Sequence, residues 1–437
     1  MDEEELEFSE EVGLTPVEGE EQKALLVGVF QGNVERSACD EHLAELAALS
    51  DTFGIDVAQK FPCPLRKIDS ATFLGKGKVE ELSELVKKLR ATVLIFDEDI
   101  SPAQQRNLEK IIQVPVMDRT ELILEIFAQR AQTKEARLQV ELARVKYQFP
   151  RLKRLWSHFS RQRASGGYLK GEGEKQIELD RRLLDQKIEK LTKELNEVKK
   201  YRQTQKAARV KSGVPTFAII GYTNAGKSTL LNALTEAGVF VEDKLFATLD
   251  PTTRKFTLPN NQEILLTDTV GFIRKLPHSL IAAFKSTLEA ALQDDVLLHI
   301  IDASSPIAEE HAKTSHAILN ELAVEKRPII TVLNKIDACQ DPDLIERLRV
   351  SYPKTVLISA ITKEGFPELM QMMIEEIAAR RQTIKLKIPQ KEYALVTILR
   401  REGHIHYEEY EENDIILLVD IPLPLLHRIE PYRIKEL

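Results

Sequence analysis

Short apolar runs and stretches of helical spacing alternate along the first third of the chain. Lys23-Ala24-Leu25-Leu26-Val27-Gly28-Val29-Phe30 is apolar without a helical period and reads as a strand. Asp40–Leu49 then places its apolar residues at helical spacing. Ile55–Phe61 predicts a strand, Lys78–Leu89 a helix, Thr92–Phe96 a buried strand, Pro102–Ile112 a helix and Val114–Met117 a last short strand. This alternation predicts a small α/β domain with a largely parallel sheet over residues 23–120. Residues 1–22 are rich in Glu and lack apolar periodicity, so they are expected to form an acidic flexible arm.

From Glu121 the character changes. Leu138, Leu142 and Val145 make a helical stripe, and Leu184, Ile188, Leu191, Leu195 and Val198 recur at alternating spacings of four and three. That is a narrow coiled-coil seam flanked by Lys and Glu. Two such helices predict an antiparallel helical hairpin over residues 121–211, its tip loop at about 148–175. Pro150, Gly166, Gly167, Gly171 and Gly173 argue against one continuous rod. Ser212-Gly213-Val214-Pro215 is a linker signal, after which the alternation resumes over residues 214–380. Strands are expected at Thr216–Ile220, Glu263–Thr267, Val296–Asp302, Pro328–Asn334 and Thr355–Ser359, giving a second α/β domain with a mostly parallel sheet. Residues 385–437 predict a small α+β module, with a helix at Tyr393–Arg401 and strands at His404–Tyr410 and Asp414–Asp420.

A length of 437 residues agrees with several domains. No apolar run approaches the ~18 residues that span a bilayer, so no integral membrane segment is expected. Cys39, Cys63 and Cys339 are too scattered for a disulfide framework or a CxxC metal site, and His404 and His406 lack the company of metal ligands. A cytoplasmic monomer is expected, with peripheral attachment to a membrane left open. The net charge of −8 hides an asymmetry. Between Glu141 and Glu172 there is no acidic residue, and the gap holds Arg144, Lys146, Arg151, Lys153, Arg154, Arg161, Arg163 and Lys170. Trp156, Phe159 and Tyr168 are interleaved with them. Cations and aromatics together suit phosphates and unstacked bases, so Arg151, Lys153, Arg154, Trp156, Arg161, Arg163 and Lys170 are candidate RNA contacts. The plainer alternative is that Leu155, Trp156 and Phe159 cap the core of the hairpin. No DNA partner is expected.

The chemistry sits further along. Gly221-Tyr222-Thr223-Asn224-Ala225-Gly226-Lys227-Ser228 follows a strand and matches the phosphate-binding pattern GxxxxGK[ST]. Its glycines let backbone N–H groups approach phosphates, Lys227 reaches the β- and γ-phosphates, and Ser228 offers a hydroxyl to Mg²⁺, with Thr229 in the helix that follows. Asp268-Thr269-Val270-Gly271 ends another strand, placing Asp268 in the Mg²⁺ shell and the Gly271 amide at the γ-phosphate. Asn334-Lys335-Ile336-Asp337 ends a third, where a buried carboxylate on Asp337 would accept from guanine N1–H and its amine. Adenine offers neither donor. Ser359-Ala360-Ile361 can present an amide to guanine O6. GTP or GDP with Mg²⁺ is therefore the expected ligand of a P-loop domain. Between the first two motifs, in Phe246-Ala247-Thr248-Leu249-Asp250-Pro251-Thr252-Thr253-Arg254, a threonine should sense the γ-phosphate through the metal. Thr248 is favoured over Thr252 and Thr253. Where many GTPases carry a water-orienting Gln, Phe272 follows Gly271 and cannot do this, so hydrolysis is expected to be slow without a partner. Arg254 and Arg274 are possible charge stabilisers.

These stretches resemble the HflX family of ribosome-associated GTPases, over residues from about 24 to 380. The resemblance is carried by Gly75-Lys76-Gly77-Lys78-Val79-Glu80-Glu81-Leu82, by Glu178-Leu179-Asp180-Arg181-Arg182, and by Phe246 through Arg254. Asp268-Thr269-Val270-Gly271-Phe272-Ile273-Arg274-Lys275-Leu276-Pro277 and Ala283-Phe284-Lys285-Ser286-Thr287-Leu288-Glu289 carry it further. It implies binding to the large ribosomal subunit and, in some members, dissociation of stalled or idle ribosomes. It also implies that the hairpin tip reaches ribosomal RNA near the peptidyl transferase region and that the position of Thr248 coordinates Mg²⁺. At the tip the sequence departs from the family pattern: Leu169 replaces a glycine and Glu172 a proline. The competing readings are a GTPase of ribosome assembly or RNA modification, and a GTP-dependent RNA-binding protein with little hydrolysis.

Overall fold

The computed structural model describes residues 22–163, 181–200, 214–235, 245–276, 280, 295–321, 327–379 and 381–434, apart from 33, 199, 247, 248, 250, 412 and 423–425. The chain divides into two compact units, Met1–Gln129 with Tyr147–Arg181, and Arg130–Lys146 with Arg182–Leu437.

In the first unit the order is β1 (Lys23–Phe30), α1 (Val34–Phe53), β2 (Asp56–Pro64), α2 (Lys76–Leu89), β3 (Val93–Phe96), α3 (Pro102–Ile112), β4 (Val116–Asp118) and α4 (Arg119–Arg130). The strands line up as β2-β1-β3-β4 and every pairing is parallel. Leu25, Val27, Leu94 and Phe96 on the sheet meet Leu82 and Val86 of α2 and Leu108 and Ile112 of α3 in one buried cluster. Each such side chain removed from water contributes roughly 1.5–3 kcal/mol. Local chemistry sets where α3 begins: Ser101 and Gln104 exchange side-chain-to-amide bonds in a capping box, and Pro102 fills the first turn, where no N–H is missed. The buried stripe of α4, Leu122, Ile123, Ile126 and Phe127, belongs to this unit, which therefore reaches past residue 120. Arg119 anchors it, with its buried guanidinium 2.9 Å from Asp97 and 2.7 Å from Glu45.

The helix α5 (Lys134–Arg163) contains Pro150, so the interruption expected from about residue 148 is absent. The proline removes one backbone hydrogen bond. The residues bracketing it supply compensation, because Tyr147 Oη donates to Asp118 (2.8 Å) and Arg151 donates to Asp118 (2.9 Å), Gln105 (3.1 Å) and the Ile100 carbonyl (3.1 Å). In the second unit, Leu138, Leu142 and Val145 of α5 pack with Leu184, Ile188, Leu191 and Leu195 of the helix α6 (181–198), forming the seam that the heptad spacing predicts.

Next come β5 (Thr216–Gly221), α7 (Lys227–Thr235), β6 (Thr252–Thr257), β7 (Glu263–Asp268), β8 (Val296–Asp302), α8 (Ala308–Glu321), β9 (Ile329–Asn334), α9 (Pro342–Ser351), β10 (Thr355–Leu357) and α10 (Phe366–Ala378). The sheet order is β10-β9-β8-β5-β7-β6, parallel except for the edge strand β6, which the polar run Thr252–Thr257 did not announce. Phe217, Ile219, Leu266, Leu298, Ile300 and Val332 form its inner core with Leu230 and Leu369. The last module adds β11 (Arg381–Pro389), unforeseen, then α11 (Tyr393–Glu402), β12 (His404–Glu411) and β13 (Asp414–Pro422), in an antiparallel β11-β13-β12 sheet. Among the described residues no helix is long and apolar enough to cross a membrane.

Candidate functional site

The chemical motifs converge because they end neighbouring parallel strands: Gly221 closes β5, Asp268 β7, Asn334 β9, and Ser359 lies just beyond β10. Ligands of open α/β sheets bind along that carboxyl edge. Gly221 takes φ 148°, and a Cβ there would lie 2.2 Å from the Ile300 carbonyl oxygen. Gly226 takes φ 91°, and a Cβ there would lie 2.3 Å from Asn334 Nδ2. Both positions favour glycine, Gly221 because it lies against backbone and Gly226 because it lies against the Asn334 side chain.

Lys227 opens α7, buried to 6% exposure, and its Nζ donates to the Tyr222 carbonyl at 2.7 Å. Desolvation pulls its pKa down to about 8, opposed by the charge of Asp268 and aided by that of Lys335. A cation held away from water beside a glycine-lined cradle is a receptor for phosphate oxygens. Ser228 Oγ donates to Asp268 Oδ2 at 2.7 Å. A hydroxyl and a fully buried carboxylate meeting at a strand end are the hard oxygen donors that Mg²⁺ takes, so this pair fits the metal.

Asn334 joins the two halves of the site. Its Nδ2 donates to the Ala225 carbonyl (2.8 Å) and its Oδ1 accepts the Ala360 amide (3.0 Å). Lys335 adopts φ 63° and its Nζ lies 2.7 Å from Asp302, a residue at the end of β8 that the motif reading missed. Asp337 occupies a single turn of 3-10 helix and is exposed, correcting the expectation of a buried carboxylate. The turn carries it clear of the core, so no buried charge is available there to disfavour adenine. The Ala360 amide is committed to Asn334 and is not available to a base. Ser359 is fully buried and accepts the Thr362 amide, holding that loop, while the Ile361 side chain is exposed.

Two segments flank the cradle. Thr223 N–H donates to the Phe272 carbonyl (2.7 Å), and Phe272 N–H to the Gly221 carbonyl (3.0 Å). The Phe272 side chain is 1% exposed, and the Arg274 amide donates to Tyr222 Oη at 2.8 Å. A Cβ on Gly271 would lie 2.7 Å from Thr223 Cα, so only glycine permits this approach. Thr269 Oγ1 is tied to the Ile219 carbonyl and Val270 is buried. On the other side, Phe246 and Leu249 are buried, and the Phe246 amide donates to Thr223 Oγ1 at 3.0 Å. Ala247, Thr248 and Asp250 lie outside the described residues. Thr252 and Thr253 lie in β6, paired with Asp268 and Thr267, and a residue held in a sheet ladder is poorly suited to release after hydrolysis.

Among the candidate RNA contacts, Arg151 is corrected. Its guanidinium is spent on Asp118, Gln105 and Ile100, and it stacks 3.5 Å from the Tyr147 ring. A partner 33 residues away in sequence gives no local signal. Burial raises the Asp118 pKa against the pull of Arg151, and pushes that of nearby Glu121 up to about 8. Lys170 and the side chains of Lys153, Arg154, Trp156, Arg161 and Arg163 lie outside the described residues.

Known proteins match most of the chain in sequence. Residues 40–128 match a GTP-binding GTPase N-terminal family, 130–209 a GTP-binding GTPase middle region, and 216–335 a 50S ribosome-binding GTPase family. The GTPase HflX of Chlamydia pneumoniae is 49% identical over 95% of this chain and 89% of its own length. That of Lacrimispora saccharolytica is 46% identical over 93% and 95%. Among solved structures, a GTP-binding protein from Sulfolobus solfataricus in complex with GDP is 26% identical over 81% of this chain and 98% of that chain, with a TM-score of 0.44.

Proposed function

The chain belongs to the HflX family of GTPases, and from that premise we propose that it binds the large ribosomal subunit in its GTP state and dissociates stalled or idle ribosomes, the subunit in turn stimulating hydrolysis. It is a P-loop GTPase that takes GTP and GDP with Mg²⁺. Ser228, Asp268 and Thr248 would hold Mg²⁺, which would offset the negative charge of the phosphates. Lys227 and the loop amides orient the triphosphate, the Gly271 amide meets the γ-phosphate, and Asp337 with Ile361 selects guanine.

The observation that carries the dependence on a partner is Phe272. It stands where a water-orienting side chain is needed, is buried, and is fixed through its backbone to Gly221 and Thr223. Among the described residues the site therefore offers groups to bind and polarise GTP, and none at the position after Gly271 to direct the attacking water. The ribosomal partner is supported by the family matched over residues 216–335 and by the acid-free basic stretch between Glu141 and Glu172. Neutralising RNA phosphates releases counterions, so affinity through this stretch must fall steeply with salt.

Co-sedimentation with purified 50S subunits tests the docking. The protein should pellet with a non-hydrolysable GTP analogue, less with GDP, and lose binding on deletion of residues 153–170. Equal pelleting without nucleotide, or undiminished binding by the deletion, would contradict the proposal.

A further inference from the structure

Thr223 stands between the two segments that flank the phosphate cradle, and it bonds to both. Its amide donates to the Phe272 carbonyl at 2.7 Å, and its hydroxyl oxygen accepts the Phe246 amide at 3.0 Å. The residue is 7% exposed, so neither bond competes freely with water. On the Phe272 side the contact is tight as well, since Gly271 approaches Thr223 Cα too closely for any Cβ.

Phe246 is an aromatic residue at φ 57°, in the left-handed region that side chains other than glycine enter at a cost. Such strain persists only where surrounding contacts over-determine it, and it clusters at ligand clamps and switch regions. Burial of the Phe246 ring and the bond to Thr223 Oγ1 are two such contacts. The loop sequence alone does not require a hydroxyl here, because phosphates are met by backbone amides.

We propose that Thr223 is a positioning residue that couples the two nucleotide-responsive segments. Its hydroxyl holds the Phe246 turn in its strained form while its amide holds Phe272, so release of one loosens the other. This rests on GTP hydrolysis and not on ribosome docking.

The test is Thr223→Val, which keeps the β-branch and removes the acceptor, with Thr223→Ser as the conservative rescue. Loss of one neutral hydrogen bond corresponds to about a fivefold shift in a local opening equilibrium. Amide exchange of the GDP-bound protein should therefore quicken about fivefold in T223V, in residues 245–249 and 271–274 alike. The single-turnover hydrolysis rate should fall by a similar factor with KM little changed, and T223S should restore both. Faster exchange confined to residues 245–249, a failure of Ser to rescue, or parental hydrolysis by T223V would overturn the coupling. Should T223V not fold, Thr223→Ala against T223S gives the same comparison.

Discussion

If Asp337 selects the base, as we propose, it does so at an exposed carboxylate, and a single substitution should switch the specificity. Asp337→Asn replaces an acceptor by a donor, which mismatches the guanine amine and matches the carbonyl that xanthine carries in its place. The expected outcome is a loss of GTP affinity of about tenfold or more with a gain for the xanthine nucleotide, by competition against a fluorescent nucleotide. Unchanged preference for GTP would remove Asp337 from base recognition. His299 belongs to the same scale but to stability. It lies in β8, fully buried, and neither ring nitrogen has a hydrogen-bond partner among the described residues. Its ring meets His316 edge-on at 4.8 Å, and His316 stacks on Tyr352. Burial, then the nearby His316 and Lys227 charges, pushes its pKa down to about 3. The unfolded chain, with an ordinary pKa near 6.5, binds the proton more readily. Stability must then fall as pH drops below about 6.5, by about 1 kcal/mol per pH unit, continuing towards pH 3. Denaturant melts at pH 7 and 5 should show this loss, and His299→Leu should lessen it. An equal loss in the variant would place the acid sensitivity elsewhere.

Among the elements, the middle of α5 is held by charge. Asp118 is 1% exposed, so removing Arg151 leaves its carboxylate buried beside Glu121. Arg151→Ala should cost about 3–5 kcal/mol of stability in the first unit, read by denaturant melting. The salt dependence of 50S binding should stay unchanged. Intact stability with a shallower salt slope would return Arg151 to the RNA contacts. The reading of elements from sequence succeeded where one physical requirement fixes the pattern. Buried parallel strands must be short and apolar, a two-helix seam must repeat every three and four residues, and phosphates require glycine. It failed where the decisive partner is remote. Pro150 inside α5 is tolerated because Tyr147 and Arg151 reach Asp118, and β6 is a polar edge strand whose residues are mostly half-buried or exposed. At the site, the four motifs were legible. The clasp of Thr223 on Phe246 and Phe272 and the Asp302–Lys335 pair were not, since each joins residues without a shared pattern.

At the scale of the whole molecule, the described residues of one site supply groups suited to binding GTP and none, at the position after Gly271, suited to directing water. Lys227, Ser228, Asp268 and Gly271 are in place, while Phe272 contributes backbone bonds and a buried ring. Such a division suits a switch, in which the triphosphate state lasts until the correct partner completes the machinery. Phosphate release from GTP by the purified protein, with and without stoichiometric 50S subunits at fixed Mg²⁺ and salt, tests this most directly. A slow rate alone that rises about tenfold or more on adding subunits is the predicted result, since ordering one catalytic group commonly brings factors of that size or larger. Fast turnover by the isolated protein, unaltered by subunits, would contradict it.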